Sequence, residues 1–256
     1  MIDTHTHLYD EAFDPDFREA VDRATQAGVE RFVFPGIDSS CHDRMTRRAE
    51  ELEGKAVISS GLHPTSVNGN WKKELDFVEK RLSEGGYAAI GEIGLDTYWS
   101  SDFIIEQKEA FLIQMKWAAE LSLPAIIHVR NAHDILFECL DTLKESGISM
   151  KGVFHAFSGS YETYLRIRGY GSFMFGIGGV VTYKNAGIAD TLRRMDTEDI
   201  VTETDSPWLT PVPHRGKRNE PSFIPFIINR IAELTGHSAQ SIDTITTGNA
   251  IRMFNL

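Results

Sequence analysis

The chain has little cysteine: two residues, Cys41 and Cys139, in 256. A disulfide framework needs more, and so distant a pair matches no zinc-knuckle spacing. Both thiols therefore read as buried or inert groups in a reducing compartment. No apolar run approaches the roughly 18 residues that a membrane span requires. Where a secretory signal would need apolar residues, Asp3, His5 and His7 stand instead, so a soluble cytoplasmic protein with no membrane contact and no obligate protein partner is expected. Positive charge is also scarce, with 26 Lys and Arg against 37 Asp and Glu, a formal net charge of -11. Such a surface repels polyanions at long range and excludes a module that coats duplex DNA by counterion release. A nucleic-acid substrate remains open only where a local basic cluster and metal ions grip a few nucleotides. Finally, no Ser- or Pro-rich linker and no low-complexity stretch interrupts residues 1–256, which are expected to form a single domain.

What is present is bulk for a core: 41% hydrophobic residues, with 15 Phe, 7 Tyr and 4 Trp. Short β-branched or aromatic runs recur along the whole chain, over 2–7, 31–36, 56–63, 88–93, 125–129, 152–157, 172–177 and 200–205. Each ends in a polar or Gly-containing segment. Between them, 16–27, 42–53, 72–82, 103–121 and 132–145 carry apolar residues at spacings of three and four, the amphipathic helix signature. Eight strands alternating with helices argue for parallel pairing. Eight units in 256 residues leave 32 each, the size of a closed (β/α)8 TIM barrel of about 250 residues. The loop over 208–220, with Pro211, Pro213 and four basic residues, then lies on the carboxyl-terminal rim, where barrel active sites are built.

Residues i and i+2 share a face of a strand. His5 and His7 therefore point the same way with Asp3 beneath them, His128 pairs with Arg130, and Glu203 pairs with Asp205. Glu92 ends the fourth run, His63 the third and His155 the sixth. A lone His-x-His is more often two satisfied histidines near a surface than a metal site. Here, however, five of the nine histidines (His5, His7, His63, His128 and His155) fall at the carboxyl ends of predicted strands. Imidazole nitrogens with carboxylate oxygens and no thiolate suit zinc, manganese, cobalt or, less well, magnesium.

These residues sit in stretches that match a family in order over the whole chain. They are Asp-Thr-His-Thr-His at 3–7, Gly-Leu-His-Pro at 61–64, Gly-Glu-Ile-Gly-Leu-Asp at 91–96, Ile-His-Val-Arg at 127–130 and Phe-His-Ala-Phe-Ser-Gly at 154–159. Thr-Tyr-Lys-Asn-Ala at 182–186, Glu-Thr-Asp-Ser-Pro-Trp-Leu at 203–209, the Pro- and Arg-rich segment at 211–221 and Gly-Asn-Ala at 248–250 follow. The chain thus resembles the TatD-type metal-dependent deoxyribonucleases of the amidohydrolase superfamily. The resemblance implies a 3'-5' exonuclease-like activity on DNA and a centre of two divalent ions. His5, His7 and Asp205 would hold one ion, His128 and His155 the other, and Glu92 would bridge them. Many superfamily relatives bridge through a carboxylated lysine; the fourth run here has none. Thr97 stands where the family often carries an aromatic residue and Asn131 where Asp is common, which bears on substrate contacts more than on metal.

Outside that set, Arg130 suits a bidentate phosphate clamp better than a rim ion pair. His63 either contacts a phosphate or stacks at the rim. Lys184, Arg215 and Lys217, with Arg218, form the concentrated basic patch expected near the mouth to bind substrate, although charged loops are usually only solvated. Asp205 is the expected proton acceptor. Glu203 is expected to support a metal-bound histidine rather than act as acid or base. His42, His133, His214 and His237 read as surface or packing residues. Gly176, Gly178 and Gly179 suggest close backbone approach. The expected activity is phosphodiester hydrolysis at single-stranded or frayed DNA ends. Hydrolysis of a small amide, lactone or phosphotriester by the same centre is the alternative, and a metal-binding scaffold without turnover is disfavoured by the full ligand set.

Overall fold

The computed structural model describes residues 1–256. Eight strands, β1 (Ile2–Asp3), β2 (Arg31–Phe34), β3 (Ala56–Ser60), β4 (Ala89–Asp96), β5 (Ala125–Arg130), β6 (Lys151–Phe154), β7 (Ser172–Ile177) and β8 (Ile200–Thr202), pair in parallel in sequence order. The ring closes between its first and last strands. The Thr4 N–H donates to the Thr202 carbonyl at 3.1 Å and the His7 N–H to the Ser206 carbonyl at 2.8 Å, and Thr6 bridges Ser206. The result is the (β/α)8 TIM barrel that the eight runs predict.

Helices α1 (Phe17–Gln26), α2 (Ser39–Glu50), α3 (Trp71–Glu84), α4 (Ile104–Glu120), α5 (His133–Glu145), α6 (Tyr161–Arg168), α7 (Ile188–Leu192) and α8 (Ile224–Thr235) wrap the sheet, and α9 (Ala239–Phe254) follows. In α1 the buried residues Phe17, Ala20, Val21 and Ala24 recur at helical spacing, so one stripe faces the sheet. Side chains cap several starts: Asp38 accepts from the Ser40 N–H before α2 and Ser238 from the Ser241 N–H before α9. Because helices cover one face of each strand and the lumen the other, β4 is buried along its entire length.

The lumen is layered. Ile2, Val33, Val57, Ala89, Ile126, Val153, Met174 and Val201, one from each strand, form an apolar ring with Ala250, Met253 and Phe254 of α9. That helix stoppers the amino-terminal end of the barrel. Polar side chains are confined to the opposite end, so the fold separates a dry floor from a polar mouth.

Strands β1, β2, β3, β6 and β8 end earlier than the β-branched runs suggest, β7 ends with its run, and β4 and β5 end later. Glu92 does not end β4; the strand continues to Asp96, with a register shift against β5 between Ile90 and Ile93. The shift matters because a bulge re-aims the side chains beside it. His5, His7, His63, His155, Glu203 and Asp205 all lie just beyond their strands, in segments free to bend inward. Alternation does not run through to Asp205, whose φ is 55°. A non-glycine residue in that left-handed region is held there by its surroundings at some cost.

Candidate metal centre

A cavity of about 640 Å³ opens at the carboxyl-terminal face, with His7, His63, Glu92, His128, His155 and Asp205 in its wall. A wider hollow at the amino-terminal face contains no histidine. At the centre of the first lies Glu92, its two oxygens turned to different partners. Oε2 is 3.2 Å from His5 Nε2 and 3.9 Å from His7 Nε2. Oε1 is 3.0 Å from His155 Nε2, 3.1 Å from His128 Nδ1 and 3.2 Å from His63 Nε2. Asp205 Oδ1 joins the first group at 3.6 Å from both His5 Nε2 and His7 Nε2.

Hydrogen-bond partners assign the tautomers. Tyr9 spends its hydroxyl proton on the Pro35 carbonyl, so its oxygen accepts from His7 Nδ1 at 2.8 Å and leaves the His7 Nε2 lone pair facing inward. Asp96 Oδ2 accepts from His128 Nε2 at 2.9 Å, which turns the Nδ1 lone pair inward. His63 is the opposite case. The Thr65 N–H donates to its Nδ1, so the proton rides on Nε2 and points at Glu92. His63 therefore offers a hydrogen where His7 and His128 offer lone pairs. Tyr9 and Asp96 are absent from the residues singled out in the sequence. Asp96 was accessible there through its parity with Glu92, two pleats along β4.

The donor chemistry fits a pair of cations. His5 Nε2 and His7 Nε2 are 3.2 Å apart, as are His128 Nδ1 and His155 Nε2. Lone pairs facing each other at that distance repel unless a proton or a metal lies between. Two nitrogens on one tetrahedral zinc, each about 2.0–2.1 Å from it, stand about 3.3 Å apart. The set contains no sulfur, which suits zinc, manganese, cobalt or magnesium rather than a soft ion. Burial opposes ionisation of Glu92, but the surrounding imidazoles, His155 foremost, outweigh it and hold the carboxyl well below its usual range. Asp205 is likewise lowered against its burial, first by His7, whose Nε2 lies 3.6 Å from its Oδ1. Burial alone would depress His155, yet Glu92 and Glu203 raise it well above the usual imidazole value.

Glu203 is fully buried beneath this layer. Its Oε1 accepts from the Ala156 N–H and lies 3.6 Å from His155 Nδ1. Its Oε2 has no partner, like the Nδ1 atoms of His5 and His155, and His5 stacks on His155 at 3.9 Å. A carboxylate oxygen from Glu203 and a ring nitrogen from each histidine lie within 4.8 Å of one another. Room for the carboxylate exists because residue 176 is glycine, whose missing Cβ would meet Glu203 Oε2 at 2.0 Å.

Arg130 has no carboxylate partner; its guanidinium lies 3.5 Å over the Tyr98 ring within the cavity wall. Lys184, Arg215 and Lys217 are exposed on the surrounding loops and do not line the cavity. Arg215 stacks on Tyr183 at 4.0 Å. Arg218 is drawn away to Asp16, at 2.7 and 2.8 Å. Thr97 and Asn131, the two departures, bond to each other: the Thr97 hydroxyl donates to the Asn131 carbonyl at 2.6 Å. Among the remaining histidines, His42 packs edge-on against Phe77 and His214 stacks on Phe223 at 4.2 Å.

The family model described as TatD related DNase matches residues 2–255. A Bacillus subtilis protein named uncharacterized metal-dependent hydrolase YabD is 36% identical, over 100% of this chain and 99% of its own. An Erwinia tasmaniensis protein named 3'-5' ssDNA/RNA exonuclease TatD is 31% identical over the full length of both. The crystal structure of the TatD homolog YJJV from Escherichia coli superposes with a TM-score of 0.91 at 28% identity, covering 100% of this chain and 98% of that one. With a polar, histidine-rich barrel mouth in the place the family's sequence stretches require, and with likeness running from end to end, this chain belongs to the TatD family and is a metal-dependent hydrolase.

Proposed function

We propose that the chain is a two-metal phosphodiesterase that removes nucleotides from single-stranded or frayed DNA ends, in the 3'-5' direction. The observation that carries this reading is the division of Glu92 between two histidine groups beside an arginine with no carboxylate partner. His5, His7 and Asp205 would hold one divalent ion, His128 and His155 the other, and Glu92 both; zinc, manganese, cobalt and magnesium all suit these donors. Bound ions would supply charge stabilisation and a water of lowered pKa. Arg130, kept rigid by Tyr98, offers its donors to a phosphate. His63 Nε2–H adds a second donor next to the centre. Asp205 accepts the proton of the attacking water, and Glu203 fixes the ring of His155 so that its Nε2 faces inward. The exonuclease name carried by the Erwinia relative supports a nucleic-acid substrate.

Hydrolysis of a small neutral ester or amide leaves Arg130 without a task. End-labelled single- and double-stranded oligonucleotides, incubated with the metal-loaded protein and with a chelator control, test the proposal beside an ester and amide panel. Chelator-sensitive trimming of the single strand is expected. Turnover of panel substrates with intact oligonucleotides would reject it.

A further inference from the structure

Two indoles at the mouth are unaccounted for by metal binding or phosphate capture. Trp99 is 70% exposed and Trp208 is 51% exposed, yet both belong to the wall of the 640 Å³ cavity. Leaving rings this large in water forgoes a burial free energy that the rest of the fold collects elsewhere. Neither ring is loose. Trp208 stands edge-on to His7 at 5.0 Å, and Trp99 stands edge-on to Tyr98 at 5.1 Å, with the Arg130 guanidinium over Tyr98. Trp99 follows β4 and Trp208 follows β8. In a closed ring of eight strands in sequence order these are four apart, so the two indoles rise from opposite sides of the carboxyl-terminal rim with the histidine layer between them.

We infer that Trp99 and Trp208 form a split stacking platform that takes the unpaired bases on either side of the scissile phosphate, an inference that rests on the nuclease reading. An acidic chain needs such a device. With a net charge of -11 and Lys184, Arg215 and Lys217 outside the cavity, the grip on a strand cannot come from a long cationic track. Base–aromatic stacking is independent of charge and tolerant of sequence, because every base has a π-face. It also selects against duplex, whose bases already stack on their neighbours. Arg130 and His63 then meet the phosphate, while the indoles set where along the strand it stops.

The test uses a short oligothymidylate with cleavage-resistant phosphorothioate linkages, and the same oligomer with its two 3'-terminal bases deleted to give abasic sugars. Both carry the same phosphates. Binding to the metal-loaded protein is followed by anisotropy of a 5' label. Trp99→Ala and Trp208→Ala should each weaken binding of the base-bearing end by about tenfold, within the range for loss of one stacked base. Trp99→Phe and Trp208→Phe should recover most of it. Binding of the abasic end should be weak and equal in all five proteins. Metal content measured in parallel separates lost stacking from a displaced His7: loss of both metal and affinity in Trp208→Ala without recovery in Trp208→Phe overturns the assignment of Trp208. A wild type that binds base-bearing and abasic ends alike overturns the platform and leaves the nuclease reading standing. A wild type that binds neither brings down both.

Discussion

Among single residues, Glu92 is the one that reaches both histidine groups, each of its oxygens facing a different one, and in the proposed two-ion centre both halves depend on it. Glu92→Gln should therefore lower the occupancy of both ions together, as elemental analysis would report. One tightly held ion in the wild type, unchanged by the substitution, contradicts the assignment. In the proposed mechanism Asp96 and Glu203 act at one remove, by orienting rings. Asp96→Asn should weaken metal affinity by about 10- to 100-fold, the usual range for an outer hydrogen-bond partner, as measured by competition with a chromogenic chelator. Asp205→Asn should lose activity through metal binding and proton transfer together, whereas Glu203→Gln should keep its metals and a reduced rate. A fully metallated but inert Glu203→Gln enzyme beside an active Asp205→Asn enzyme reverses these roles.

Elements are held in place by a different set of charges. The segment after Trp208 is tied to α1 through Asp16, Arg218, Arg23 and Glu220, with Arg23 Nη2 at 2.8 Å from Asp16 and 2.6 Å from Glu220. The hydrogen bond from Arg218, with further help from Arg23, lowers Asp16 to about 2 from an unfolded value of 3.8. For a depressed carboxyl the sign is definite. Its contribution is complete above about pH 4 and disappears as the pH falls toward 2. Thermal melts of wild type and Asp16→Asn should differ at neutral pH and converge near pH 2; a constant gap removes Asp16 from the account. The same tie turns Arg218 toward α1 rather than the mouth, a contact between segments some two hundred residues apart that the sequence does not display. The strands were legible because burial on both faces leaves β-branched runs. Their ends were not, since polar residues beyond a strand continue its alternation on paper while Ala156 and Asp205 turn the backbone to φ values of 45° and 55°. His5, His7, Glu92, His128, His155 and Asp205 could be picked out because few other roles suit such side chains at a barrel rim. Tyr9 and the tautomer of His63 could not, because Pro35 and Thr65 decide them in space.

The whole molecule combines an acidic exterior, a polar mouth and an apolar floor. Phe254, buried against the ring of strand residues in the lumen, should cost about 3–5 kcal/mol on truncation to Ala, measured by urea unfolding, with metal content preserved in the folded fraction. A loss of metal without loss of stability would mean that floor and mouth are not separable layers. Barrel closure has a further consequence, in the time domain of synthesis. Asp205 meets His5 through a backbone hydrogen bond of 2.9 Å, so the earliest residues of the centre to be translated wait for nearly the latest. At about 5–20 residues per second, that interval is about 10–40 s. Throughout it, His5 and His7 lack Asp205, the carboxylate that the neighbouring last strand brings to their side of the ring. On the proposed two-ion reading, selection among metals therefore follows the docking of the last strand.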